Sequence, residues 1–337
     1  MDFLVRQRKI PLLTIAIPTY NRAGYLGTLL SVLFDQVAGE RRIELIVSDN
    51  ASTDKTPEVV HKFLADGLPI RYIRNEINSG ADGNILQCFE KARGKYVWIC
   101  GDDDVILPGG VQLVLERISE SDYDLVYLLH YSFRRDGSYV RVVPTPPIAA
   151  EVIEDVDVFV RRINHSLSFI SGNIVNKERV MAEHRYPFKT LLGTNLVQLG
   201  WMYTALNNYR RGLYVYEQII ATGESDIYSY APVEIFGPNL KAITDKWLDN
   251  QSLRHIIMNS VLRGLLPFFL LLSRRSPKAS DVKSFRAMLT PVFRGDFQYW
   301  MFCYPLLVLP GPFAEWYWAV VRALNKIRRI CIRLLCR

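Results

Sequence analysis

Between Leu12 and Cys100, short apolar runs alternate with longer segments whose apolar residues recur every three or four positions. This switching of period predicts strand, helix, strand, helix in succession, the pattern of an open, mostly parallel sheet with helices on both faces. Strands are expected at Leu12 to Ile17, ended by Pro18, and at Ile43 to Ser48, Ile70 to Ile73 and Tyr96 to Cys100. Helices are expected at about Leu26 to Val37, Thr56 to Ala65 and Asn84 to Ala92. In such a sheet a ligand crevice lies outside the carboxyl ends of the strands, so the residues following each strand carry the chemistry.

After the first strand comes Pro18-Thr19-Tyr20-Asn21-Arg22, after the second Asp49-Asn50-Ala51-Ser52-Thr53-Asp54, after the third Asn75 to Gly80, and after the fourth Gly101-Asp102-Asp103-Asp104. Taken singly these are ordinary turn and cap residues, and Ser52 to Asp54 would serve to start the next helix. Together they place four polar loops at one sheet edge. Three adjacent carboxylates behind an apolar strand repel one another and call for a cation. A hard divalent ion, Mg²⁺ or Mn²⁺, is the natural partner and usually completes its shell with substrate phosphates.

These four motifs, in this order and spacing over residues 11 to 130, resemble the donor-binding half of glycosyltransferase family 2. Within that family the chain resembles bacterial enzymes that build O-antigen and other surface polysaccharides, including the abequosyltransferase-like group. The resemblance implies a GT-A fold in which an NDP-sugar lies across the strand ends. It implies that Pro18, Thr19, Tyr20 and Asn21 hold the nucleotide, that Asp49 with Asn50 meets the base, and that Asn78, Gly80 and Asn84 approach from the third loop. The acidic motif would carry the metal that neutralises the departing diphosphate. Many members have Asp-x-Asp-Asp here, whereas Gly101 stands where the first Asp would be. Asp103 is therefore expected to be the principal metal ligand, with Asp102 toward the ribose or a metal-bound water and Asp104 as second ligand or structural anchor.

Direct displacement with inversion needs a carboxylate to deprotonate the acceptor hydroxyl. The stretch comparable to the family's usual acid pair, Phe188 to Leu196, contains Thr194 and Asn195 but no carboxylate. Glu224 and Asp226 are the next candidates, and His165 is a third. Residues 166 to 175 read as a small-residue strand and turn on the acceptor side, with Ser171 and Asn173 placed to touch the acceptor beside Thr194 and Asn195. Pro144 to Pro147 reads as a linker between the donor half and an acceptor half at 148 to 235.

The transferase unit is expected to end near residue 235 of 337, leaving a C-terminal region, 236 to 337, of unusual character. Ile256 to Leu272 is apolar but interrupted by Arg263 and Pro267, and Phe297 to Val321 is aromatic-rich but broken by Pro305, Pro310 and Pro312. A transmembrane helix wants roughly 20 predominantly apolar residues, so neither reads as a clean span. The clusters Tyr299-Trp300 and Trp316-Tyr317-Trp318 suit the headgroup level of a bilayer. Arg322, Lys326, Arg328, Arg329, Arg333 and Arg337 follow without an acid, and nearly account for the net charge of +7. Most of them share one helical face, with Leu324, Ile327, Cys331, Leu334 and Leu335 on another, which predicts a basic amphipathic helix lying on an anionic membrane.

No nucleic-acid motif accompanies the basic patch, and no secretory signal is read at the N-terminus. Five cysteines without CxxC spacing point to a reduced compartment and no zinc site. The expected function is metal-dependent transfer of a sugar from an NDP-sugar to a lipid-linked, polyprenyl-diphosphate saccharide at the cytoplasmic face of the bacterial inner membrane. The alternatives are a transferase that loads polyprenyl phosphate itself and a catalytically silent sugar-nucleotide-binding protein on the membrane. A hydrophobic C-terminus also leaves an oligomer open.

Overall fold

The computed structural model describes residues 10–132, 149–223, 231–275 and 282–335. The chain divides into two compact units, Met1–Asp226 with Trp247–Asp249, and Ile227–Lys246 with Asn250–Arg337.

The first unit is built on a mixed sheet. Its donor half consists of β1 (Leu13–Thr19), β2 (Ile43–Asp49), β3 (Ile70–Arg74) and β4 (Tyr96–Ile99). These four strands run parallel in the order β3-β2-β1-β4. β5 (Val105–Ile106), β6 (Leu125–Ser132), β7 (Ala150–Ile153), β8 (Asn173–Asn176) and β9 (Gly212–Thr222) complete it. The order continues β4-β8-β6-β9-β5, with β7 also on β9, and β8 enters antiparallel to both β4 and β6.

Both faces are covered. Leu13, Ile15 and Ile17 alternate with Thr14 and Ala16 along β1, and all five are buried, as befits a central parallel strand. On one face α1 (Ala23–Val37) and α4 (Gly110–Glu120) pack Leu26, Leu29, Leu30, Leu33, Val111, Val114 and Leu115 against Ile15, Ile17, Tyr96 and Trp98. α2 (Thr56–Ala65) lies beside α1. Across the sheet, α3 (Gly80–Lys91) stacks its Phe89 ring on Trp201 at 4.4 Å between centroids, with Phe188 edge-on to both. Lys177 donates to the carbonyls of Phe89, Glu90 and Ala92 and so closes the C-terminal end of α3, where the helix dipole is negative.

Two helices of the donor half start earlier than the apolar spacing indicates, α1 at Ala23 and α3 at Gly80, because Ala23 to Tyr25 and Gly80 to Gly83 include no buried apolar residue to mark a helical face. The expected small-residue strand from 166 is corrected. Asn164–Ser168 and Ile170–Gly172 are 3₁₀ turns and the strand begins only at Asn173. Asn173 itself holds those turns through its amide, which donates to the carbonyls of Ser166 and Phe169. Pro144 to Pro147 lie outside the described residues.

The second unit is helical. Its longest apolar helix runs Gln251–Arg275 without a break, long and apolar enough to cross a membrane by length and composition, with less than half of its most apolar stretch buried. The interruption expected at Arg263 and Pro267 is thereby corrected. Val261–Leu265 forms a π turn immediately before Pro267, and the wider turn accommodates a residue that has no N–H to donate. Tyr299–Cys303 repeats the device before Pro305. The helix expected over the basic tail is present as Gly311–Leu335. Ala314, Trp318 and Val321 are buried on one side of it, whereas Phe313, Trp316, Val320 and Leu324, also at helical spacing, are exposed. Phe297, Trp300 and Met301 are exposed too.

Candidate active site

The four loops at the carboxyl edge of the parallel strands are laced into one wall by short polar side chains. Asn50 is the hub. Its amide donates to Asn78 Oδ1 at 2.7 Å and to the Gly80 carbonyl, and its carbonyl oxygen accepts from Asn75, from the Ser79 amide and from the Ser79 hydroxyl. Its own N–H donates to the Thr19 carbonyl, joining the first loop to the second. Asn84, from α3, accepts from Ser48 Oγ at 2.6 Å and donates to the carbonyls of Ser48 and Thr19. Asp54 accepts from the Ala23 N–H and from both the N–H and hydroxyl of Thr56, so one carboxylate caps the starts of α1 and α2. Asn21 and Ala51 hold left-handed backbone at φ 53° and 65° within these loops. For alanine, which has no side-chain hydrogen bond to compensate, that is strain kept in place by its surroundings.

The wall encloses a cleft of about 380 Å³ lined by Pro18, Thr19, Tyr20, Arg22, Asn50, Asn78, Gly80, Ala81, Asn84, Ile85, Gly101, Asp102, Asp103 and Ile170. Most of the donor-side residues expected from sequence are therefore brought together. Asn21 and Asp49 are not on that wall. The Asn21 side chain accepts from the amides of Thr53 and Asp54 and ties the loops. Asp49 has no exposed surface; its oxygens take the Ser52 N–H at 2.8 Å and the Tyr72 hydroxyl at 2.6 Å, with Arg74 at 3.6 Å. In this structure the carboxylate expected to meet the base anchors the second loop instead. Burial, with Asp49 behind it, raises the Tyr72 hydroxyl well above its ordinary value.

The acidic motif splits in two. Asp102 and Asp103 face the cleft, where a single nitrogen of Arg22 lies 2.9 Å from an oxygen of each. The second oxygen of Asp102 accepts from the Thr19 hydroxyl at 2.7 Å. Burial pushes Asp102 up to about 6 even though Arg22 and Thr19 pull it down. For the Arg22 guanidinium, burial works against the charge, yet the two carboxylates outweigh it and the group is raised. Asp104 goes the other way. It is buried, accepts from Ser171 Oγ and from the Gly223 N–H, and burial pushes it up to about 7. Its partners, Ser171 and the Gly223 N–H, are those of an anchor.

Ser171 is likewise not an acceptor-facing residue. Fully buried, it bonds Asp104, accepts the Gly101 N–H at 2.8 Å, and takes the Trp98 indole N–H on its carbonyl. Thr194 caps its own turn through the Leu191 carbonyl, and Asn195, at φ 57°, is held by its N–H on Asp82, which also accepts from Val197. Asp82 sits in the first turn of α3, and burial raises it despite those amide donors. His165 does not line the cleft, and desolvation holds its imidazole down at about 4, a poor base near neutrality. Glu224 and Asp226 lie outside the described residues. Gly223, just before them, packs so closely on the acidic motif that a Cβ there would lie 2.5 Å from the Asp103 carbonyl oxygen.

Among the described residues no three His, Cys, Asp or Glu side chains are grouped to hold a metal by themselves. Two carboxylates converging on one positive nitrogen do fit Mg²⁺ or Mn²⁺, which takes one or two protein carboxylates and draws its remaining ligands from water and substrate phosphate. Arg22, Ile170 and Asp82 were not singled out by sequence. The demand of the aspartate triplet for a cation was the signal that could have found Arg22.

A mixed sheet whose parallel half ends in such a cleft is the GT-A architecture, and solved structures agree. The S. aureus TarS 1-349 complex with UDP matches at TM-score 0.59 and 18% identity over 92% of this chain and 88% of that one. A mannosyltransferase from Pyrobaculum calidifontis in complex with GDP-Man and Mn²⁺ matches at 0.51 and 16%, over 88% and 85%. At these identities the likeness is one of fold. Residues 14–168 match the model of glycosyl transferase family 2, and the chain carries a domain of that family. Among curated relatives, the abequosyltransferase RfbV of Salmonella typhimurium is 38% identical over 115 residues, 34% of each chain. The GalNAc(5)-diNAcBac-PP-undecaprenol beta-1,3-glucosyltransferase of Campylobacter jejuni is 30% identical over 112 residues, 33% of this chain and 36% of the relative. The chain thus matches about a third of the length of these relatives.

Proposed function

We propose that the protein is an inverting, Mn²⁺- or Mg²⁺-dependent glycosyltransferase that moves a sugar from an NDP-sugar to a lipid-linked saccharide in bacterial O-antigen or surface-polysaccharide synthesis. The observation that carries the reading is the convergence of Asp102 and Asp103 on one cationic nitrogen in the wall of a cleft built by the four strand-end loops. Thr19, Tyr20, Asn50, Asn78 and Gly80 would receive the nucleotide, and Asp102 and Asp103 would hold the cation. That cation, when bound, neutralises charge on the departing diphosphate. The acceptor hydroxyl attacks the anomeric carbon as the bond to diphosphate breaks, and its proton passes to a carboxylate. Glu224 and Asp226 are the proposed bases; Glu224 directly follows Gly223, whose N–H is bonded to Asp104.

The exposed Phe313, Trp316, Val320 and Leu324, the apolar helix Gln251–Arg275 and the basic run from Arg322 support docking on the cytoplasmic face of an anionic inner membrane, where a lipid-linked acceptor is available. The Campylobacter relative, named for an undecaprenol-linked acceptor, supports the same reading. A second reading, sugar loading onto polyprenyl phosphate, is favoured by the carboxylate-free stretch Phe188 to Leu196, since a phosphate nucleophile needs no base.

The test is nucleotide release from UDP-, GDP-, dTDP- and CDP-sugars by purified protein, with a polyprenyl-diphosphate saccharide mixture and separately with polyprenyl phosphate, in Mn²⁺ and then in EDTA. Metal-dependent release with a glycosidic product is expected. An acid-labile sugar phosphate formed on polyprenyl phosphate would move the assignment to the second reading, donor binding without turnover would leave the silent sugar-nucleotide-binding protein, and the absence of both would refute all three.

A further inference from the structure

Arg22 stands at the one place in the cleft that a divalent cation would need. The same guanidinium nitrogen lies 2.9 Å from Asp102 Oδ1 and 2.9 Å from Asp103 Oδ2, which is how two carboxylates present themselves to a shared cation. Asp102 is fixed from behind by the Thr19 hydroxyl, so its outward oxygen has little freedom to seek another partner. Arg22 is the most exposed member of the three. It follows β1 by three residues, 41% of its side chain is exposed, and its guanidinium carbon lies 5.9 Å from the centre of the Tyr25 ring. Arg22 can therefore pass its charge to solvent or to another anion, whereas Asp102, only 6% exposed, needs a replacement cation when the guanidinium leaves.

We propose that Arg22 is an exchangeable counter-ion: it bridges Asp102 and Asp103 while the cation is absent, is displaced from them when a divalent cation binds, and then turns its guanidinium to the diphosphate of the donor. The inference rests on the donor-site reading above and adds an order of events to it. Bridging keeps the two carboxylates apart from water and oriented, so the cation meets a prepared pair. Once released, a planar guanidinium already in the wall of the cleft is matched to phosphate oxygens, which it can engage with two parallel N–H donors. Cation and diphosphate then favour each other, because each pulls on a different side of the same exchange. The cleft would also bind a diphosphate poorly before the metal arrives, since Arg22 is committed elsewhere and two carboxylates face the incoming anion.

The exchange gives effects of opposite sign in one variant, which a merely structural role would not. Mn²⁺ binding to the full-length protein, followed by the EPR signal of free Mn²⁺ without nucleotide, should tighten about three- to thirtyfold in Arg22→Gln, the range expected when one or two weak ion pairs no longer compete. Binding of inorganic pyrophosphate at saturating Mn²⁺, measured by calorimetry, should weaken by about tenfold or more in the same variant. Arg22→Lys keeps the charge without the fork and should restore Mn²⁺ affinity toward wild type while leaving pyrophosphate binding impaired. Unchanged or weaker Mn²⁺ binding in Arg22→Gln would overturn the competition, and unchanged pyrophosphate binding would overturn the transfer. Asp103→Ala keeps the two readings separable. If wild type and Asp103→Ala bind Mn²⁺ alike, the metal site itself is wrong; if only Asp103→Ala loses Mn²⁺ and Arg22→Gln matches wild type, the exchange alone is wrong.

Discussion

Replacing Ser171 with alanine separates an anchor of the acidic motif from a residue that touches the acceptor. The hydroxyl sits between the Gly101 N–H, which it accepts at 2.8 Å, and the buried carboxylate of Asp104, to which it donates. Ser171→Ala leaves the amide without an acceptor, at about 1–3 kcal/mol, and strips a hydrogen bond from a charged group, at about 1.5–3 kcal/mol. A water entering the vacated space would recover part of this, so the expected net loss is about 2–4 kcal/mol. For a unit of this size that lowers the melting temperature by roughly 5–15 °C. The Asp104 carboxyl, with Gly223 as its remaining donor of the two, should be pushed still higher than about 7. Urea unfolding and calorimetry, in EDTA and in Mn²⁺, read the loss directly. A change below about 1 kcal/mol accompanied by a raised acceptor KM would refute the anchor and return Ser171 to the acceptor side.

Three other outcomes follow from the same geometry. Asp103→Ala should abolish Mn²⁺-dependent turnover yet leave melting within about 1 kcal/mol of wild type, since the pair it makes with Arg22 is partly exposed; a large loss of stability would make the triplet structural. The His165 ring is held at about 4, below its ordinary value, so the unfolded chain takes up a proton that the folded one refuses. Its contribution is therefore intact above about pH 6.5 and lost as pH falls toward 4, up to about 3 kcal/mol, and the stability difference between wild type and His165→Asn should shrink over that window and not stay flat. Deleting Arg322 to Arg337, or replacing Phe313 and Trp316 with serine, should release the protein from anionic liposomes in a sedimentation assay; unchanged sedimentation would defeat membrane docking.

The parallel half of the sheet was legible because its signal is local. The continuous buried run Leu13 to Ile17 and the turn residues after each strand both sit within a few positions of one another. What was not legible depends on partners far along the chain. Asp49 and Asn50 are adjacent and alike in side-chain size, yet Asp49 is consumed by Tyr72 and Ser52, whereas Asn50 stands in the wall of the cleft. Nothing in their spacing decides between them; that depends on the Tyr72 hydroxyl, which the neighbouring strand β3 brings to Asp49 from 23 residues along the chain. Ser171 and Asp104 are joined across 67 residues, and Asp82 holds Asn195 across 113. In the second unit, hydropathy identified the apolar segments, but Pro267 was read as a break because a π turn, which absorbs it, has no sequence signature of its own.

The close packing of Gly101 has an evolutionary consequence. A Cβ at that position would come within 3.1 Å of carboxylate oxygens of both Asp103 and Asp104 and 3.5 Å of the Ser171 hydroxyl. An aspartate there, as the family's commoner motif would have, adds a fourth anion to a corner where one guanidinium already serves two. Positions 101 and 104 should consequently be epistatic: in a combinatorial library selected for function, an acid at 101 should survive only together with an uncharged or smaller residue at 104, whose carboxylate oxygen lies at the tight distance, and the acid at 101 alone should be purged.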